Sequence, residues 1–202
     1  MEARAPISIY NFHYASPPTC VAVNQHLPMV IGCNETGFAG SHARTYRRQA
    51  WAFLMAGGAL FNNLDYSFTP DRADGNAPIH APGGGGRRLR RQYGILKRFM
   101  DGIDFVHKRP TTDTILRCHT LHGAGYCLQG EQDAAYYFQS DNELFLRVRA
   151  PGPRCLLRTC DPVDGVVTEQ HVQADPDGTL SLEFPGLPFG FKEDIAFYLK
   201  AE

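Results

Sequence analysis

The sequence predicts a chain of two parts, an α/β part followed by an all-β part. Between Pro28 and Phe68, a short apolar run, a segment of helical length and a second short apolar run follow one another. A crossover this short implies two adjacent parallel strands. After about residue 110 the helical periods stop, and seven short runs separated by turn residues follow. Such a pattern is typical of an antiparallel β-sandwich.

The composition narrows the class of protein. The chain has 202 residues, of which 43% are hydrophobic and 20% charged, as in ordinary globular proteins of one or two domains. A formal net charge of -1 gives no reason to expect nucleic acid or an anionic membrane as a partner. No apolar run approaches the roughly 20 residues of a membrane span. The first ten residues also lack the apolar centre of a signal peptide, and localisation is left open.

Three strand-and-helix units are predicted before residue 110. Strands are expected where β-branched and aromatic residues cluster, and helices where apolar residues recur at helical spacing. Ser41 is a candidate N-cap for the second helix, and Gly57 and Gly58 end that helix. The predicted segments are a strand at Ile7–Tyr14, a helical or irregular link at Thr19–Leu27, a strand at Met29–Asn34, a helix at Ser41–Ala56, a strand at Ala59–Phe68 and a helix at Arg87–Phe105.

The segment Thr69–Gly86 is rich in proline and ends in four glycines. A GGGG run suggests a phosphate cradle, but no Lys followed by Ser or Thr comes after it and no strand precedes it. A mobile loop over the mouth of a site is the preferred interpretation. The arginines of the following helix are interpreted as its solvated face, because the rest of the chain is not basic enough to favour nucleic-acid binding.

Residues 111–202 form the predicted sandwich. Its strands are expected at Thr114–Cys118, Ala134–Phe138, Glu143–Val148, Cys155–Thr159, Gly165–Val172, Thr179–Phe184 and Ile195–Leu199.

The six cysteines indicate neither a metal nor another cofactor. There is no CxxC pair, and no Cys/His group has convincing zinc spacing. Cys118-His119 with His122 and Cys127 is interpreted as a set of strand residues. Disulfide pairing of Cys118 with Cys127, or of Cys155 with Cys160, stays open.

The number of strands suggests part of a barrel. Three parallel strands alone would leave exposed edges, whereas a complete (β/α)₈ barrel takes roughly 250 residues. The last strand-and-helix unit ends where the sandwich begins. Residues 1–110 are therefore interpreted as the C-terminal part of a barrel, with the predicted strands as its sixth, seventh and eighth.

Polar side chains stand at the ends of all three predicted strands, where parallel α/β folds carry their chemistry. They are His13 and Tyr14 after the first strand, Asn34 and Glu35 after the second, and Asn62, Asn63 and Asp65 after the third. The carboxylate of Glu35 is the best candidate for a reacting group.

This arrangement resembles the large clan of (β/α)₈ glycoside hydrolases that includes the family 5 cellulase-like enzymes. In that clan the nucleophile is a Glu at the end of strand seven, and the general acid/base is a Glu at the end of strand four. A His or Tyr from strand six commonly supports the nucleophile. His13, Tyr14 and Glu35 stand at the matching positions.

Two longer stretches resemble a bacterial group of such barrels that carries a domain-of-unknown-function label. The stretch NETGF…YRRQAWAFLMAGGALFNNLDYSF and the helix RRQYGILKRFMDGIDF are similar to the end of their barrel. DTILRCHTLHGAGYCLQGEQDAAYYF and RTCDPVDG are similar to their C-terminal sandwich, which is labelled a collagen-binding domain. Proteins of this kind are often secreted.

The resemblance implies a retaining hydrolase of O-glycosidic bonds acting on an oligosaccharide or polysaccharide. Glu35 would be the nucleophile, oriented by hydrogen bonds from His13 or Tyr14. Residues expected to meet sugar hydroxyls are Asn34, Asn62, Asn63 and Asp65, and those expected to stack on sugar rings are Tyr46 and Tyr66. Strands one to five, and with them the acid/base, are absent. The chain therefore resembles a C-terminal half whose partner would be the missing N-terminal half of the barrel, and Asp65 is the nearest acid that can be named as a replacement.

Two alternatives from other classes stay open. The chain could be a non-catalytic fragment whose sandwich binds carbohydrate or a protein such as collagen. It could also be a degenerate barrel that serves only as a scaffold. Composition favours neither strongly, although the single tryptophan, Trp51, belongs to a helix and provides no exposed sugar platform.

Overall fold

The computed structural model describes residues 6–80, 82–120, 124–140, 143–185 and 193–202, and the chain divides into two compact units, residues 1–96 and 97–202. The division lies inside helix α3 (Gly86–Asp101), and the domain boundary at residue 110 stays a prediction. The predicted mixture of α/β units followed by antiparallel strands is confirmed. None of the helices in these ranges has the length and apolarity that a membrane span requires.

The first unit is built on a parallel sheet of three strands. They are β1 (Ile9–His13), β2 (Val30–Glu35) and β3 (Leu60–Phe61), in that order across the sheet. Helix α1 (Thr19–Asn24) connects the first pair of strands, and α2 (Ala43–Met55) connects the second pair. Because the strands are parallel, their carboxyl ends meet at one edge of the sheet.

The two faces of this sheet differ in burial. Tyr10 and Phe12 point to the helix side, where they pack on a core cluster. The buried members of that cluster are Val21, Ile31, Cys33 and Phe53. On the other face Ile9, Val30 and Leu60 are between 38% and 45% exposed. The helices therefore cover one face only, and apolar side chains remain open to solvent on the other.

Two details differ from the sequence prediction. The third strand, expected at Ala59–Phe68, forms a ladder only at Leu60–Phe61, because the chain then turns to make single backbone contacts. Ser41 is not the N-cap of α2. The helix begins at Ala43 with His42 as its N-cap, and no side chain caps it.

The four consecutive glycines, residues 83–86, lead into α3, and the first two of them pack tightly against aromatic side chains. A Cβ atom on Gly83 would lie 2.2 Å from the ring of Tyr66, and one on Gly84 would lie 1.9 Å from the ring of Tyr46. Gly83 and Gly84 are buried. These glycines are required because aromatic rings lie directly against the backbone, and the expectation of a mobile loop over the mouth of a site stays a prediction.

The second unit consists of antiparallel strands. They are β4 (Arg109–Pro110), β5 (Ile115–His119), β6 (Gly125–Gln129), β7 (Asp133–Gln139), β8 (Leu144–Arg149), β9 (Arg154–Cys160), β10 (Val167–Gln173), β11 (Thr179–Phe184) and β12 (Asp194–Ala201). One sheet has the order β10-β9-β12-β7-β6-β4, and the other has the order β11-β8-β5. All seven predicted strands are present, whereas β4 and β6 were not predicted.

Both sheets of the second unit contribute to one hydrophobic core. Strands β8 and β11 alternate between buried and exposed residues, because successive side chains of a strand point to opposite faces. The three-stranded sheet therefore has an outer face that is open to solvent.

The cysteines of the described residues are all free. Cys155 and Cys160 lie five residues apart on β9, a separation of about 16 Å at 3.3 Å per residue. Cys118 is exposed on β5, and Cys127 is buried on β6. No group of three or more metal-binding side chains occurs within the described ranges, and His122 lies outside them.

Candidate active site

A β-bulge interrupts the pairing of β1 and β2 at their carboxyl ends. The register pairs Phe12 with Cys33 and then His13 with Glu35, which leaves Asn34 as the extra residue of β2. In an unbroken ladder His13 would stand beside Asn34. The bulge instead brings Glu35 next to His13, and bulges near active sites commonly redirect a side chain in this way.

Both carboxylate oxygens of Glu35 are in contact with neighbouring side chains. Nδ1 of His13 lies 2.9 Å from Oε2, and the Tyr14 hydroxyl donates a hydrogen bond to Oε1. His13 can donate when Nδ1 carries the proton. The side chain of Glu35 nevertheless stays 27% exposed. The carboxylate is thus fixed in position and still open to a ligand.

Tyr14 adopts a backbone conformation that is unusual for a tyrosine. Its φ is 55°, in the left-handed region, and its N–H donates to the carbonyl of Glu35 at 2.9 Å. Such strain persists only where surrounding contacts maintain it, and it is often found at functional sites. The hydrogen bond to Glu35, together with partial desolvation and the charge of Glu35, raises the pKa of Tyr14 to about 12. The phenol is therefore protonated and able to donate throughout the neutral range.

The asparagines at the strand ends divide into two kinds. Asn62 and Asn34 are exposed, and Nδ2 of Asn62 donates to the carbonyl of Asn34 at 3.1 Å. Asn63 is buried and accepts a hydrogen bond from Thr36 at 3.0 Å. Asn34 and Asn62 can therefore reach a ligand at this edge, whereas the contacts of Asn63 favour a packing role.

Asp65 connects the third strand segment to α3. Its Oδ1 accepts hydrogen bonds from the N–H of Ser67 at 3.0 Å, the hydroxyl of Ser67 at 2.6 Å and the N–H of Gly86 at 2.9 Å. Its Oδ2 lies 2.6 Å from the guanidinium of Arg90. Burial alone would raise the pKa of Asp65, but these hydrogen bonds outweigh it and hold the pKa below the usual value. The contacts favour a structural carboxylate over a proton donor or a sugar ligand.

Replacing Asp65 by Asn is expected to lower the free energy of unfolding by about 2 kcal/mol at pH 7, because an amide cannot accept all of these hydrogen bonds. Asp65 has a lowered pKa in the folded chain. The stability that the Asp65 carboxylate contributes is therefore complete above about pH 4. It is lost as the pH falls through the pKa that Asp65 has in the folded chain. Urea unfolding of the parent and of Asp65→Asn at pH 7 and pH 3 measures the two free energies of unfolding. Their difference should be smaller at pH 3 than at pH 7. The control Asp71→Asn, at an exposed position, should unfold with the same free energy as the parent at both pH values.

A row of three aromatic rings, in which Tyr14 and Phe38 are exposed, extends from Tyr14. The ring of Phe38 lies 5.7 Å from that of Tyr14 and 5.9 Å from that of Tyr66, edge-on in both cases. Phe38 was not selected from the sequence, although it ends the segment NETGF. Tyr46, which was expected to stack on sugar, is fully buried and donates to the carbonyl of Gly40 at 2.5 Å. Tyr46 therefore packs inside the unit, and Phe38 is the exposed ring beside the site.

Among the described residues, Glu35 is the one acidic side chain with a hydrogen bond or ion pair to His13 or Tyr14. Asp65 has both oxygens engaged elsewhere. The site therefore holds one positioned carboxylate with two supporting side chains.

Comparison with known proteins finds likeness in structure only. No family model matches the chain, and no curated protein matches it. A solved glycoside hydrolase matches with a TM-score of 0.68 at 12% identity, over 91% of this chain and 45% of that protein. A glycoside hydrolase family 5 protein from Bacteroides vulgatus matches with a TM-score of 0.66 at 12% identity, over 90% of this chain and 44% of that protein.

A solved structure from a second glycoside hydrolase family, family 30, is also similar to this chain. A GH30 endoxylanase from Clostridium papyrosolvens matches with a TM-score of 0.57 at 6% identity, over 97% of this chain and 49% of that protein. The chain thus spans less than half the length of each of these structures. It shares the fold of part of family 5 and family 30 glycoside hydrolases.

Proposed function

We propose that the chain supplies the last three strands of a (β/α)₈ barrel in a retaining glycoside hydrolase, with Glu35 as the nucleophile. The observation that carries this proposal is the carboxylate of Glu35, held by His13 and Tyr14 at the carboxyl ends of adjacent parallel strands. The likeness to family 5 and family 30 glycoside hydrolases supports it. A carbohydrate is accordingly the proposed substrate.

In this mechanism the carboxylate of Glu35 attacks the anomeric carbon of a glycoside and forms a covalent glycosyl-enzyme ester. His13 and Tyr14 keep the attacking oxygen aimed at that carbon. The leaving oxygen must take up a proton, and water must later be deprotonated, so a second carboxyl group is needed about 5 to 5.5 Å from the first. Asn34 and Asn62 are proposed to bind sugar hydroxyls, and Phe38 to contact a sugar ring.

The second carboxyl group is proposed to come from an N-terminal barrel half, on the same polypeptide or on another. The uncovered face of the parallel sheet, with Ile9, Val30 and Leu60 exposed, suits this partner. Further strands would bury these side chains and pair the open edges of β1 and β3. This chain joined in this way to an N-terminal barrel half is called the completed barrel below.

The second unit is proposed to be a β-sandwich appended to this barrel, since both of its sheets contribute to one core. A purely binding fragment is the alternative function, and a collagen-type partner rests on sequence resemblance alone. The positioned carboxylate favours the catalytic proposal, because a binding module has no need of a glutamate that is held on both oxygens at a strand end.

Replacing Tyr14 by Phe in the completed barrel is expected to lower kcat by about 10²-fold, because a misplaced nucleophile reacts slowly. The phenol stays protonated up to its pKa of about 12, so the ratio between the two enzymes should be the same from pH 5 to pH 9. Steady-state kinetics at several pH values measures this. Tyr126→Phe, a half-buried phenol on β6, is the matched control. An unchanged kcat in Tyr14→Phe would remove the positioning role.

A further inference from the structure

The outer face of the three-stranded sheet carries a groove of about 530 Å³. Its floor consists of two rows of side chains that cross strands β11, β8 and β5 in register. The rows are Ser181, Arg147 and Arg117, followed by Glu183, Phe145 and His119. None of these side chains has a role in the site around Glu35.

The first row places two arginines side by side. Arg117 and Arg147 are direct cross-strand partners, and like charges in this position destabilise a sheet. The positive charge of Arg147 is balanced by Asp177, because Nη2 of Arg147 lies 2.6 Å from Oδ2 of Asp177. Nε of Arg147 also donates a hydrogen bond to the hydroxyl of Thr179 at 3.0 Å. Arg117 is exposed, and within the described part of the chain it has no ion pair. The groove therefore has one guanidinium whose charge is not balanced.

The second row provides an aromatic surface. Phe145 is 38% exposed, and the ring of His119 lies 6.3 Å from it in an edge-on arrangement. Glu183 stands beside Phe145 on the far strand. Since Arg117 and Glu183 lie on opposite flanking strands, a ligand across the groove would meet a cation at one end and a hydrogen-bond acceptor at the other.

We propose that this groove binds a carboxylate-bearing sugar of a glycan, with the carboxylate on Arg117 and the sugar ring on Phe145. A guanidinium pairs with a carboxylate through two parallel hydrogen bonds, and this contact would relieve the repulsion between Arg117 and Arg147. The hydroxyl groups of the sugar would be received by Glu183 and Ser181. That the ligand is a carbohydrate rests on the proposed function, whereas the carboxylate follows from the charge of the groove.

Other anions fit the groove less well. A polyanion such as nucleic acid would bring negative charge against Glu183, which lies on the same face. A small inorganic anion would leave Phe145 exposed. An acidic peptide could satisfy Arg117, but it has no ring of hydroxyl groups to place between Phe145 and Glu183.

Calorimetric titration of the full chain with a trimer of galacturonic acid tests the proposal. The control ligand is the same trimer with its carboxyl groups reduced to alcohols, so that it carries no negative charge. We expect the acidic trimer to bind, the reduced trimer to bind at least about 10-fold more weakly, and added salt to weaken only the acidic one. Arg117→Gln and Phe145→Ala should each weaken binding about 10-fold. Arg91→Gln, an exposed arginine on α3, should leave it unchanged.

The same titration with Glu35→Gln separates this site from catalysis. Binding should be unaltered by Glu35→Gln, so a failed catalytic proposal would leave the groove result intact. Equal binding of the acidic and reduced trimers, or no effect of Arg117→Gln in a variant that melts like the parent, would overturn the proposal. Binding of an acidic peptide in place of the trimer would also overturn it.

Discussion

Replacing Glu35 by Gln in the completed barrel is expected to reduce the hydrolysis of unactivated oligosaccharides by about 10³-fold or more. Glutamine has almost the same shape, and its single amide oxygen can still accept one of the two contacts that His13 and Tyr14 make with the carboxylate. It lacks the negative charge that attacks the anomeric carbon. The loss should therefore fall on kcat with little change in the folded structure, and steady-state kinetics with a melting curve for each protein measures both.

The matched control is Glu131→Gln, which makes the same chemical change at an exposed position between β6 and β7. It should keep the activity of the parent. If Glu35→Gln retained full activity while Glu131→Gln behaved as expected, Glu35 could not be the nucleophile.

The second large effect concerns the 202-residue chain assayed alone. It should turn over unactivated oligosaccharides at least about 10²- to 10⁴-fold more slowly than the completed barrel, which is the usual contribution of general acid catalysis. A glycosidic oxygen is a poor leaving group unless it is protonated as the bond breaks. Asp65 is the alternative acid that the sequence suggests, and its oxygens are engaged by Ser67, Gly86 and Arg90.

The comparison requires two kinds of substrate. Activated aryl glycosides carry leaving groups that depart without a proton, so their rates should fall less than those of unactivated oligosaccharides. The ratio between the two substrates then reports the missing acid separately from missing sugar-binding surface. Hydrolysis of unactivated oligosaccharides by the lone chain at ordinary enzyme rates would mean that the chain holds its own proton donor.

Part of this site could be predicted from the sequence because polar residues end apolar runs. His13, Tyr14 and Glu35 stand where strands end, and parallel strands end at one edge. The bulge could not be predicted, because a single extra residue, Asn34, leaves the apolar pattern of β2 intact. The left-handed conformation of Tyr14 has no sequence signal either, since glycine is the residue that normally marks it.

Long-range contacts limited the prediction elsewhere. Asp65 was assigned to a ligand role, but its partners Gly86 and Arg90 lie 21 and 25 residues away. The burial of Tyr46 depends on Gly84, which lies in another segment. The groove of the second unit likewise depends on the register that pairs Arg117 with Arg147. In each case the sequence contains the side chains, and the tertiary structure decides what they contact.

Covalent trapping of the nucleophile is the sharpest test of the role proposed for Glu35. The completed barrel is incubated with a panel of 2-deoxy-2-fluoro glycosides that carry activated leaving groups, and the protein is then digested and analysed by mass spectrometry. The fluorine slows release of the glycosyl-enzyme ester, while the activated leaving group needs no proton donor. We expect one added sugar on the peptide that contains Glu35, and none in Glu35→Gln. A sugar attached to any other carboxylate, with Glu35 unmodified, would contradict it.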